Sequence, residues 1–443
     1  IPTTGLMLKA YLAERPDGTP THRVMSVDAM TTQFDSYTDF SRIWVRWGTG
    51  ANTPGGASNL KPYVFYDNNG VGFFISNGSW ITIRGLNLRN TRRGAFVISD
   101  TFPQSGAVTD VVIKDNTVKY VFEPNPAPPG QGKGSDYGMV SGNGNITNIT
   151  IDGNEVAYTG SEGMHIQARA ADAPTVYTIK NNWIHDNGDL SVVGANLGDT
   201  PWGIIIGEYG SNTGIGNYTG TLIENNLIAN QRNLPHANTG GGIVLENAMR
   251  GAILRNNVFY RPVRECIKFD ANNGPLDNLE VYNNLLIGCG QEQVAATGLP
   301  LYAFTQNYLF SSFRNNKIFN NTAVLSQGTG GRGFGFDCGN SLCSGNTLSN
   351  NIFYDTANKT VIYINVPLSS FGTVSNNIAY STASQVVSIG GTGYSCATVT
   401  SVGSGNKCGD PLFVNAAGNN FHLGSGSPAI NAGTATGMPS GRT

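Results

Sequence analysis

Apolar and polar residues alternate along this chain in runs too short for helices. Gly242-Ile-Val-Leu-Glu246 and Gly251-Ala-Ile-Leu-Arg255 are typical, rich in Ile, Val and Leu and opened by glycine. A period of two with β-branched residues predicts strands, and the runs show no 3.6-residue helical period. The runs also recur. An Asn-Asn pair or a near equivalent, followed by two or three apolar residues, returns at Asn116, Asn154, Asn182, Asn226, Asn257, Asn284, Asn316, Asn351 and Asn377. Its spacing falls to 26 residues, from Asn351 to Asn377, and rises to 44, from Asn182 to Asn226. A short minimum with irregular additions is the signature of a solenoid whose coil has a fixed length and whose loops do not. Three short strands per coil fit that length. Asn suits the corner of such a coil, because it tolerates left-handed backbone and its amide can bond to the same Asn one coil above and below.

Five successive runs align as Gly138-Met-Val-Ser-Gly142, Gly163-Met-His-Ile-Gln167, Gly203-Ile-Ile-Ile-Gly207, Gly242-Ile-Val-Leu-Glu246 and Cys266-Ile-Lys-Phe-Asp270. Their second and fourth positions are almost all apolar and are expected to point inward, which sends the third and fifth outward. The outward columns then read Val140, His165, Ile205, Val244, Lys268 and Gly142, Gln167, Gly207, Glu246, Asp270. Arg169, Glu208 and Tyr209 follow just past their strand ends. Residues 1–55 lack the repeat and are expected to cap the open end of the stack, with residues 56–443 forming the solenoid. The insertions at 124–134 and 186–202 are candidates for the walls of a binding groove.

Charge changes the picture because there is so little of it. Lys and Arg number 27 and Asp and Glu 29 in 443 residues, or 13%, against about 25% in an ordinary globular protein. A net charge of −2 without a basic stripe gives nothing for nucleic acid to bind, and no apolar run of about 18 residues offers a membrane span. Gly, at 58, is in excess, whereas Pro, at 20, is not, which indicates frequent turns rather than disorder. The chain opens at Ile1 without a basic, apolar leader, as expected of a processed mature protein. Cys338 with Cys343, and Cys396 with Cys408, enclose short Gly/Ser/Asn-rich segments that disulfides would pin. That usage points to a secreted, extracellular or periplasmic protein. Nothing in the sequence pairs Cys266 or Cys289.

Against that scarcity, Glu208, Glu246, Asp270, Lys268 and Arg169 gather on one face. Strands about 4.8 Å apart would bring the carboxyls of Glu246 and Asp270 within catalytic reach of each other. Like charges that close raise one pKa, leaving one carboxylic acid to donate a proton while the other stays ionised. Two alternatives use the same residues: a solvated cluster in which Lys268 pairs with both acids, and a calcium site built from Glu208, Glu246 and Asp270. The hydrolytic chemistry requires no cofactor, whereas the calcium alternative would place that ion on this face. Trp202 and Tyr209 flank the third strand, placed either to stack on a pyranose ring or to pack beneath a loop. His165 and Gln167 are candidates to bind sugar hydroxyls.

The repeat resembles the right-handed parallel β-helix of pectate lyases and related carbohydrate-active proteins, over about residues 60–430. The ending Asp410-Pro-Leu-Phe-Val414, Asn420-Phe-His-Leu423 and Gly426-Ser-Pro-Ala-Ile-Asn431 is similar to the closing coil of bacterial secreted members. The stretch from Gly242 to Glu246 and from Asp270-Ala-Asn-Asn-Gly-Pro275 resembles glycoside hydrolase family 120, β-xylosidases on this fold. By position the resemblance implies Glu246 as nucleophile and Asp270 as general acid, with Asn272 and Asn273 beside substrate. The order Glu then Asp, Asn273 in place of His, and Lys268 depart from that family's pattern. The expectation is therefore an all-β, single-stranded right-handed parallel β-helix with an Asn ladder and an N-terminal cap, secreted, acting on a polysaccharide or oligosaccharide as a glycoside hydrolase. The rival readings are a polysaccharide lyase with Lys268 as base, a C5-epimerase using similar parts, and a β-helix that binds glycan without cutting it.

Overall fold

The computed structural model describes residues 22–23, 35–38 and 43–45 and, with gaps, residues 71–439; the longest gaps are 122–136, 189–200 and 291–301. Within the expected cap, His22–Arg23, Asp35–Thr38 and Ile43–Val45 form a separate three-stranded sheet. The rest of residues 1–55, the insertion at 124–134 and most of that at 186–202 lie outside the described residues.

From Val71 onward the chain is a parallel β-helix. The first, 12-stranded sheet runs from Val71–Ile75 to Val387–Ile389 and Thr392–Tyr394, flanked by a second sheet, to which Glu280–Tyr282 belongs, and a third, to which Leu285–Ile287 belongs, each of 10 strands, and successive coils visit the three in turn. Pairing in the 12-stranded sheet is parallel until its last step, where Thr392–Tyr394 turns back antiparallel on Val387–Ile389. That hairpin ends the sheet. Where three strands per coil were expected, a fourth appears: Gly216–Asn217, Met249–Arg250, Leu276–Asp277, Phe313–Arg314 and Cys343–Ser344 form a narrow five-stranded sheet at one corner.

The inward positions read from the sequence are the core. Met139, Met164, Ile166, Ile204, Ile206, Ile243, Leu245, Ile267 and Phe269 are all fully buried in one continuous apolar cluster. At one corner the polar residues are equally buried. Asn116, Asn154, Asn182, Asn226, Asn257, Asn284, Asn321, Asn351, Asn377 and Asn406 form a column in which each amide bonds to the next. Asn257 is typical. Its Nδ2 donates to the carbonyls of Ile223 and Arg255 and to Oδ1 of Asn284, and its Oδ1 accepts from both the backbone N–H and the side chain of Asn226.

The two residues of each Asn-Asn pair divide the work. The first takes the left-handed turn, with φ of 56° at Asn225, 55° at Asn256 and 54° at Asn283, and the second enters the ladder. One assignment from the repeat is corrected. Asn316 is not in this column; Asn321 is, and Asn316 pairs with Asn346 in a second, short ladder. Both follow an asparagine in left-handed backbone, Asn315 and Asn320, so the local sequence looks alike at the two corners.

Asn257→Ala would strand the buried N–H of Asn226 and two carbonyls, each at a cost of about 1–3 kcal/mol. Asn256→Gly keeps the left-handed corner and should cost within about 1 kcal/mol. Thermal melting at a fixed scan rate checks this: the first variant should melt far below the second, and equal melting points would contradict the ladder's role.

Candidate active site

The outer surface of the 12-stranded sheet carries the expected residues in the expected register. Tyr137–Gly142, Met164–Ala168, Ile204–Glu208, Ile243–Glu246 and Ile267–Asp270 are consecutive parallel neighbours. His165 pairs with Val140 and Ile205, and Val244 with Ile205 and Lys268. In the next outward column, Gln167 pairs with Gly207, Gly207 with Glu246, and Glu246 with Asp270.

Gly207 makes room for this arrangement. A Cβ there would lie 1.8 Å from the carbonyl oxygen of Glu246 and 2.8 Å from its Cβ. Gln167 and Glu246 stand two coil heights apart in that column, about 9.6 Å.

Asp270 is buried and in contact with Lys268, whose Nζ lies 2.5 Å from Oδ2. Glu246 is its direct neighbour on the adjacent strand. Burial pushes its carboxyl up to about 7, the nearby Asp270 charge adds to the rise, and so does Glu162, while His165 and Lys268 pull the other way. The face thus contains one carboxyl raised to about 7 by burial beside a second that is in contact with Lys268.

Glu162 is the residue the strand alignment overlooked. It sits one position before Gly163, outside the five-residue window, yet it is 3% exposed and faces the same site. Ser161 donates to its Oε2 at 2.5 Å, and Nδ1 of His165 lies 3.9 Å from that oxygen. The other ring nitrogen of His165 contacts the Gln167 amide, and the ring packs against Tyr137 with centroids 4.5 Å apart. The signal in the sequence was a rare acid beside an aligned glycine in a chain that spends few positions on charge.

Other expectations resolve differently. Trp202 is 4% exposed and packs with Ile205 and Val244, its ring lying over Gly241. Ile205 and Val244 do face outward, but beneath that indole they are buried too. Arg169, Tyr209, Asn272 and Asn273 lie outside the described residues, as does the Glu208 side chain. Among the described residues no group of three or more His, Cys, Asp or Glu converges as a metal site. Cys266 and Cys289, left unpaired by the sequence, are joined, with Cα atoms 5.4 Å apart. The bond links the start of the Lys268 and Asp270 strand to the end of the third-sheet strand 23 residues on, a proximity that only the coil creates. Cys396 and Cys408 are paired as expected; Cys343 is also disulfide-bonded, and its expected partner Cys338 lies outside the described residues.

Among solved structures the chain is similar to pectate lyase Pel9A, at 14% identity with a TM-score of 0.39, over 83% of this chain and 84% of that one. No protein-family model and no curated protein matches the chain.

The protonation of Glu246 makes a prediction about stability. Its carboxyl binds a proton in the folded chain up to about pH 7, but in the unfolded chain only to about 4.5. The stability due to the neutral form is therefore fully present below about 4.5 and lost as pH rises through about 7. Glu246→Gln stays neutral throughout. It should match the parent at pH 4.5 and exceed it at pH 8, by on the order of 3 kcal/mol. Urea unfolding at both pH values measures the difference, and an offset independent of pH would contradict the assignment.

Proposed function

We propose that this chain is a carbohydrate-active enzyme, specifically a glycoside hydrolase in which Glu246 is the general acid and Asp270 the nucleophile. One observation carries the reading: two carboxyls paired in register on adjacent strands, one raised to about 7 and the other in contact with Lys268. These roles reverse those implied by the resemblance to family 120, because a proton donor must still hold its proton near neutral pH and Glu246 is the group that does.

Glu246 gives its proton to the glycosidic oxygen as the bond to the anomeric carbon breaks. Asp270 attacks that carbon from the other face, forming a glycosyl ester. Glu246, now ionised, then takes a proton from water, which attacks the anomeric carbon and releases Asp270. Strand spacing of about 4.8 Å suits the short carboxyl separation of retaining enzymes rather than the wider gap that admits a water between the two groups. Lys268 orients the Asp270 carboxylate. His165 holds the Gln167 amide, whose oxygen would accept from a hydroxyl of the neighbouring sugar unit.

A polysaccharide lyase would need Lys268 free to remove the proton α to a uronate carboxyl, and its ammonium is instead committed to Asp270. Incubation with neutral and uronic-acid polysaccharides tests the choice. The expected result is new reducing ends with retained anomeric configuration and no unsaturated-uronate absorbance. Glu246→Gln and Asp270→Asn should each lower kcat by about 10²–10⁴-fold. Activity should decline above about pH 7 as Glu246 loses its proton. Ultraviolet absorbance that disappears in Lys268→Ala would overturn the hydrolase for a lyase, and inactivity on every polymer would leave a binding protein.

A further inference from the structure

The Asn corners that hold the coils together also meet the end of the chain. The first asparagine of each pair points its amide outward, and on two consecutive coils those amides are covered. Asn350 donates to the carbonyl of Thr434 at 2.8 Å and accepts from its N–H at 2.9 Å, while Asn376 donates to the carbonyl of Ala432 at 2.9 Å. The C-terminal segment is thus read by the corner amides as one would expect of any ligand rich in donors and acceptors.

One and two coils earlier the same column is open. Asn283 and Asn320, both in left-handed backbone, line a cleft of 570 Å³ between the corner and the hairpin Phe413–Asn415 and Asn420–Leu423. Thr322 and Leu285 form its floor on the third sheet, and Asn419 and Phe421 close the hairpin side. The hairpin is held in place by aromatic contacts, Phe413 packing edge-on against Tyr354 at 5.4 Å and against Phe421 at 5.3 Å. The cleft is therefore built from anchored elements rather than a loose tail. Its volume falls within the range of about 300–1,000 Å³ usual for ligand sites.

We propose that this cleft is a second glycan-binding site, remote from Glu246 and Asp270, that takes a short stretch of neutral sugar. Its lining contains no Asp, Glu, Lys or Arg. Amides that donate and accept at once match hydroxyl groups, and Phe421 offers a ring for the apolar face of a pyranose. A polyuronate would find neither Lys nor Arg there, and only His422, to offset its charge. The site lies on the corner between the second and third sheets, whereas the acid pair lies on the outer surface of the first, so one chain could anchor on a polymer while cutting it elsewhere. The inference does not depend on the roles assigned to Glu246 and Asp270.

Calorimetric titration of the full chain carrying Glu246→Gln, with hexasaccharides of β-linked xylose, glucose and mannose and of galacturonate, tests it. At least one neutral hexasaccharide should bind, and the paired substitution Asn283→Gly with Asn320→Gly should weaken one class of sites at least tenfold. Glycine keeps the left-handed corners, so thermal melting of this variant should stay close to that of its parent. Phe421→Ala should weaken the same class, and any second class, on the catalytic face, should be untouched. Binding unchanged by the paired substitution, a cleft that prefers galacturonate, or the absence of any neutral-sugar binding would each overturn the proposal.

Discussion

The buried asparagine column is the constraint on which the rest of this protein depends. A parallel sheet can slide by two residues without losing its inward and outward pattern, so apolar packing alone does not fix the register of ten coils. The ladder does. Each amide satisfies the backbone of the coil below it and is satisfied by the coil above, so a slipped coil would strand buried polar groups on both sides. With every coil pinned at that corner, insertions vary the coil from 26 to 44 residues while the strands stay aligned.

Register is also what makes the candidate active site. Glu246 and Asp270 are 24 positions apart in sequence and become direct neighbours because their coils are in phase. Gly207 lets the Glu246 backbone come close on one side, the Cys266–Cys289 bond ties down the coil on the other, and Glu162 adds a negative charge. Scarcity of charge across the chain gives these few groups their leverage. A buried carboxyl with a carboxylate neighbour and a committed cation has little reason to ionise below neutrality, and the same chemistry costs stability above it.

Much of this was legible in the sequence because it follows from short-range rules. Alternation identified the strands, and the five-run alignment matched the observed pairing position by position from Val140 to Asp270. What escaped notice depends on the third dimension. Asn316 and Asn321 follow similar corner residues, and only the count of strands between them separates the two ladders. Cys266 and Cys289 meet because a coil closes between them. Trp202 lies over Gly241, where no side chain excludes its ring, and so is buried against Ile205 and Val244. Glu162 was missed because a strand's influence extends past its first glycine.

The central claim is that Glu246 holds a proton near neutral pH because of burial and Asp270. Isotope-edited infrared titration of the glutamate carboxyls, comparing the parent with Glu246→Gln and Asp270→Asn, measures it most directly. The account predicts a carboxyl titrating at about 7 that disappears in the first variant and shifts down in the second. A Glu246 carboxyl that titrates in the ordinary range, unmoved by Asp270→Asn, would contradict it.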